Sequence, residues 1–303
     1  MNSNNSKISC ARIEGQFRPD PPCATRINPC DGSVMRLITE GEFIMGSTLE
    51  QVEAARRMDI YGHEFSLLDE MPQFSTFLPG FYLSECAVTN EQFAAFLSDF
   101  RPEPAELKLL APQLERIHIP TGSEAFYQVE AGFERHPAIH ISWFGAQEYC
   151  KWAALRLPTE LEWEKAARGT DGRIYPWGNE WHDDYLRWDM EKSSRYSTTA
   201  PVDAYPQGRS PYGVLQMLGN VVEWCADLYQ WDIYQQYAAG DLHLPLRGEM
   251  RVVRGGNYLT HKRTLFRCAH RRGNDPAIVN VHCTGIRCAW DVSMLAQGTG
   301  IRA

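Results

Sequence analysis

Gly169 closes the last long helical period in this chain, and that boundary constrains the fold more than any other feature. Upstream of it the helix signals are sharp. Thr89, Asn90, Glu91 and Gln92 form a T-x-x-Q capping box ahead of Phe93, Phe96 and Leu97, which share one helical face. Ser142 is placed to cap WFGAQEYCKWAA, where Trp143, Ala146, Tyr149, Cys150 and Ala153 recur at helical spacing. Thr159 and Glu162 make a second capping box after Pro158, opening a helix, ELEWEKAARG, that stops at Gly169. Downstream, Trp177-Gly178-Asn179, the tyrosines and frequent Gly and Pro predict irregular loops braced by aromatic rings.

The remaining regular structure reads as strand. VMRLITEGEFIMGS, from Val34, alternates and carries Gly41 at a turn. FLPGFYLSECA, Phe77 to Ala87, reads as a strand pair turned at Pro79-Gly80. Residues 101–135 are Pro-rich and read as a surface insertion. Few helices, many short strands and long ordered loops make an α+β fold.

Composition narrows the partners. With 44% apolar residues and nine tryptophans in 303 positions, the chain can bury a substantial core. A net charge of −8 argues against a general nucleic-acid surface. No apolar run reaches the length of a membrane span, and MNSNNSKISCARIEG has no apolar core of a signal peptide. The expectation is a cytoplasmic protein with no nucleic-acid or membrane partner. Nine cysteines, none in a C-x-x-C pair, fit buried reduced thiols rather than a zinc ribbon or redox motif. Against the overall charge, Lys262, Arg263, Arg267, Arg271 and Arg272 crowd one segment. Arg267, Arg271 and Arg272 have the chemistry to clamp a carboxylate bidentately. For Arg267 and Arg271, internal ion pairs are the expectation, and for Lys262 and Arg263 a solvated face.

Four blocks stand in order along the chain. They are GEFIMGS (Gly41 to Ser47), HPAIHISWFGAQEYCKWAALRLPTELEWEKAARG (His136 to Gly169), SPYGVLQMLGNVVEW (Ser210 to Trp224) and RVVRGGNYLTHKRTLFRCAHRRGNDPAIVNVHCTGIRCA (Arg251 to Ala289). Together they closely resemble the formylglycine-generating-enzyme and sulfatase-modifying-factor superfamily. The resemblance implies a C-type-lectin-like fold, poor in regular secondary structure. It spans one domain over residues 31–295, with a weakly ordered lead-in at 1–30 and a tail at 296–303. It also implies that Cys150 and Cys288, disulfide-linked positions in secreted relatives, lie side by side in the core.

Site expectations follow from the same resemblance. Sulfatase activators carry two cysteines after the glycine pair and bind copper through them. Here the residues after Gly255-Gly256 run Asn257 to Leu265 without a cysteine, and Thr260 and Leu265 stand at about the thiolate positions. A hydroxyl and an isobutyl group cannot replace the soft donors that Cu(I) takes, so sulfatase activation is not expected. Cys268, further on, reads as a buried core thiol. A structural calcium is implied at the positions of Gln216, Gly219, Val221 and Glu223, with a buried, hydrogen-bonded Glu223 as the competing reading.

The reactive loop of the activators maps onto Asn257, Tyr258, Thr260 and His261. These residues, with His270 and near Val222, are the expected catalytic surface, and His261 is the candidate for proton transfer, the work imidazole does near neutral pH. His261, His270 and His282, with Asp275 or Asp291, contain the donor types of a non-haem iron site but no recognised ligand spacing, so the identity of any catalytic metal stays open. Ergothioneine-type members take iron ligands from an additional N-terminal helical domain, for which the stretch ahead of the shared domain is too short. The resulting expectation is an oxidase- or oxygenase-like step on a small molecule in a biosynthetic pathway, as in superfamily members of pyoverdine maturation and toxoflavin synthesis. The alternative is a non-catalytic ligand- or protein-binding module on the lectin-like scaffold.

Overall fold

The computed structural model describes residues 24–58, 67–121, 126–189, 198–277 and 283–292. Strands β1 (Thr25–Ile27), β2 (Val34–Ile38) and β3 (Gly41–Met45) lead into helix α1 (Leu49–Met58), then strands β4 (Phe74–Leu78) and β5 (Phe81–Ser84). Helices α2 (Asn90–Phe100) and α3 (Pro104–Leu110), short strands β6 (Ile117–His118) and β7 (Gln128–Val129), and helices α4 (Trp143–Trp152) and α5 (Glu160–Arg168) follow. The last part holds β8 (Val222–Leu228), α6 (Ile233–Ala238), β9 (Arg251–Arg254), β10 (Arg271–Asn274), β11 (Thr284–Gly285) and β12 (Ala289–Asp291). After Gly169 the described residues contain one α-helix, of six residues. This is the mixed α+β, C-type-lectin-like architecture expected.

The caps set the helices where the sequence places them. Both capping boxes form, Thr89 with Gln92 and Thr159 with Glu162, and Ser142 accepts from the Gly145 amide. Phe93, Phe96 and Leu97 are fully buried and pack with Tyr149, Cys150 and Trp224 in the largest core cluster. In that core Cys150 Sγ lies 3.6 Å from Cys288 Sγ, so the helix and the final strands meet where expected. The aromatic brace is present too: Tyr175 stacks on Trp177 at 5.3 Å, and Trp181 meets Trp188 edge-on at 5.1 Å.

Three expectations are corrected. The strands flanking Pro79-Gly80 do not pair with each other; β4 pairs with β3, and β5 with β2 and β12. Met35 opposite Ser84 and Met45 opposite Phe74 belong to one antiparallel register, so residues 34–45 and 74–84 form a single ribbon. Pro79 lacks the amide that a ladder needs, so it interrupts pairing without reversing the chain. Residues 101–135 are also not merely superficial. Pro104 starts α3, whose Leu107 and Leu110 enter the main core, and a Cβ on Gly145 would lie 2.2 Å from the Leu110 carbonyl oxygen. That contact lets α3 and α4 touch backbone to backbone. The lead-in, too, begins its order early: β1 is already paired with β2, while residues 1–23 lie outside the described set. Among the described residues no helix is long and apolar enough to cross a membrane.

Candidate functional site

The sheet β10-β9-β8-β11 has two chemically different faces. Its first face meets α5, whose Glu160, Glu164 and Arg168 repeat every four residues and are all buried. Arg271 grips Glu160 bidentately, Nε to Oε1 at 2.7 Å and Nη2 to Oε2 at 2.8 Å. Arg254 donates to the same Glu160 at 2.8 Å and also to Glu164, which takes Arg168 at 2.7 Å. Alongside, Arg267 holds Glu70 through two 2.6 Å bonds. Arg267 and Arg271 are thus the internal ion pairs expected of them.

Burial raises the Glu70 carboxyl, but Arg267 and His270 outweigh it and hold the group at about 2. Burial likewise raises Asp227, which Glu160 pushes further, to about 7. His270 Nδ1 lies 3.4 Å from Glu70 Oε1, and burial moves its imidazole below the usual range despite that carboxylate. Cys268 is the core thiol expected, fully buried and pushed up to about 12 by that burial. None of these acids was evident as a site residue in the sequence. The four-residue repeat on α5 is a signal that could have found Glu160 and Glu164, and nothing comparable marks Glu70 or Asp227.

The second face opens on a cleft of about 270 Å³. Val222, Val253, Gly255, Gly256, Asn257, Leu259, Thr260, His261, Lys262, Leu265, His270 and Arg272 line it, with Arg254 at its base. The glycine pair shapes the turn out of β9: both have positive φ, and a Cβ would meet the Met217 carbonyl at 2.9 Å or the Phe266 ring at 2.8 Å. Asn257 then staples the loop, its Oδ1 accepting from the Leu259 amide and the Thr260 hydroxyl, both at 3.0 Å. Of the expected catalytic set, Asn257, Thr260, His261 and His270 come together here beside Val222. Tyr258 does not line the cleft; its side chain is buried and hydrogen-bonded to Cys283. A larger cavity, about 640 Å³, lies near Glu40, Phe81, Glu162 and Asp291, but Arg156 already holds the last two carboxylates.

The donor chemistry of the cleft can be tested against each metal. Thr260 and Leu265 both line it, and no sulfur does among the described residues, so the copper set does not fit. For iron, His261 and His270 share the cleft, but Asp275 is exposed outside it and Asp291 stands at the other cavity. His282 lies outside the described residues. No group of three or more potential ligands forms among those described.

The calcium positions are otherwise engaged. The Glu223 carboxylate takes Arg287 on both oxygens at 2.8 Å and the Trp163 indole at 2.7 Å. Gln216 donates to the Pro201 and Ala204 carbonyls and accepts from Asn220, while the Gly219 carbonyl takes the Val221 amide. This arrangement does not fit a calcium cage; it is a buried ion pair, held by a guanidinium where the competing reading expected backbone amides. Adding calcium to chelator-treated protein is therefore expected to leave the melting temperature unchanged, since only a ligand that binds the native state raises it. A rise that Glu223→Gln abolishes would restore the calcium site.

Comparison with known proteins agrees with the fold and the blocks. The profile of the "Sulfatase-modifying factor enzyme 1-like domain" family matches residues 24–292. The chain is 32% identical to the formylglycine-generating enzyme of Streptomyces coelicolor, over 91% of this chain and 94% of that one. It is 31% identical to hercynine oxygenase of Mycolicibacterium smegmatis, over 84% of this chain and 61% of the relative. Identity reaches 40% with the serine/threonine-protein kinase Pkn1 of Chlamydia trachomatis; the match covers 74% of this chain but about a third of the kinase's length, 35%. The structure of PvdO from Pseudomonas aeruginosa superposes with a TM-score of 0.65 at 22% identity, over 90% of this chain and 99% of that one. The chain belongs to the sulfatase-modifying-factor family.

Proposed function

We propose that this protein carries out an oxidase- or oxygenase-like step on a small molecule in the cleft beside Gly255-Gly256, as part of a biosynthetic pathway, and does not activate sulfatases. The observation that carries the reading is the reuse of the family's reactive loop with other chemistry. Thr260 and Leu265 occupy the cleft where the resemblance puts thiolates, while Asn257, His261 and His270 line the same space. Similarity to hercynine oxygenase supports oxygen chemistry within the family beyond sulfatase activation. His261 is exposed at the cleft and is assigned proton transfer; His270, buried beside Glu70, is assigned to positioning.

The test is dioxygen uptake driven by fractions of a small-molecule extract, followed by mass spectrometry under ¹⁸O₂. Wild type is expected to consume oxygen with at least one fraction, and His261→Ala to lose about 100-fold in rate while still binding, the usual scale of acid–base catalysis. No uptake with any fraction, or uptake unchanged by His261→Ala, would remove the assignment. A sulfatase peptide with copper should stay unconverted; the aldehyde product would overturn the other half. One observation favours the second reading, a cleft that only binds: the described residues gather no three metal ligands. In that case His261→Ala weakens binding and no product is found with either protein.

A further inference from the structure

In RCAHRR, Arg267 and Arg271 are neutralised inside the protein, each by a carboxylate that it grips bidentately. Arg272 is not. Strand alternation turns it to the opposite face from Arg271, in register with Val253, so it lines the cleft. Its Nε is buried with no hydrogen-bond partner, and among the described residues it has no ion pair. Burial lowers its affinity for the proton with no carboxylate nearby to oppose that.

Lys262 repeats the sign. It lines the same space with the imidazoles of His261 and His270, and no Asp or Glu does among the described residues. In a chain of net charge −8 this is a local inversion, and a cationic ligand would find no counter-charge there. A guanidinium left half-desolvated and unpaired is matched by a planar anion that accepts two parallel hydrogen bonds.

We propose that the ligand of this cleft carries a carboxylate, and that Arg272 is the residue that receives it. The proposal deepens the small-molecule reading and rests on it. Carboxylate is favoured over phosphate because no α-helix N-terminus among the described residues faces the cleft, and phosphate sites draw on several such amides. Val222, Val253, Leu259 and Leu265 supply the remaining wall, so the carboxylate sits on a small apolar body, and about 270 Å³ suits a compact molecule.

Benzoate, its neutral isostere benzamide, and phenyl phosphate make the probe set, titrated by calorimetry. Wild type is expected to bind benzoate about tenfold more tightly than benzamide, as a charge-assisted pair should give, and Arg272→Gln to lose that preference. Arg272→Gln should also melt no lower than wild type, because it removes an unpaired charge rather than a structural bond. Benzoate binding no tighter than benzamide, including binding of neither, overturns the proposal. So does a preference that survives Arg272→Gln, or a lower melting temperature in that variant. Phenyl phosphate binding more tightly than benzoate reassigns the site to phosphate. None of these measurements needs turnover. A benzoate preference kept in both wild type and His261→Ala, with no oxygen uptake, would retain the carboxylate site and remove the enzyme.

Discussion

Glu160→Ala is expected to destabilise the protein by about 3–5 kcal/mol, the usual cost of removing one partner from a buried ion pair. Glu160 receives Arg271 at 2.7 and 2.8 Å and Arg254 at 2.8 Å, and neither guanidinium has measurable exposure. Burial alone would raise the Glu160 carboxyl, yet Arg271 and Arg254 bring it below the usual range, so the group is an anion in the folded state. Its removal takes from Arg271 the carboxylate that it grips and leaves Arg254 with Glu164 alone, in the wall that separates α5 from the cleft. Urea unfolding measures the effect. Asp203→Ala is the control, because its partner Arg135 and Asp203 itself are 61% and 52% exposed, and such pairs contribute about 0–1 kcal/mol. Similar losses for the two variants would mean that the buried charge layer does not hold the sheet. Should Glu160→Ala fail to fold, Glu160→Gln keeps the volume and supplies the measurement.

That layer also marks the limit of what the sequence discloses. Thr89, Ser142 and Thr159 each act on an amide three residues ahead, so their helices are readable from a few letters. Glu70 and Arg267 are 197 positions apart, and nothing local distinguishes them from solvated surface charges. The same holds for pairing: alternation announces β2 through β5 as strands, but a shared register across Pro79-Gly80 is settled by which faces meet. The cleft was legible only through resemblance, which named Asn257, Thr260, His261 and His270, all of which line it, and put Tyr258 among them although it turns toward Cys283. Arg271 and Arg272 look alike in the sequence. Strand alternation gives one an internal carboxylate and leaves the other facing the cleft.

Replacing Thr260 and Leu265 together by cysteine is expected to create a Cu(I) site in the cleft. Both residues line it, one on the loop that Asn257 staples and one at the end of the short turn that follows. Cu(I) takes soft thiolate donors, and once one cysteine has bound, the second is supplied within the same molecule. That advantage should make the double variant hold one copper on the order of 100-fold more tightly than either single variant, measured by competition with a colorimetric Cu(I) chelator. The single variants are the necessary controls, because the chain has nine cysteines of its own and Cys150 and Cys288 already lie 3.6 Å apart in the core. Those two are buried and common to every variant, so copper reaching them by unfolding would not discriminate. Thr260→Cys and Leu265→Cys matching the double variant would mean that the two positions do not converge on one ion. The loop from Asn257 to Leu265 would then run in a different register, and the wild-type cleft would differ from the activators in its backbone as well as in its two missing sulfurs.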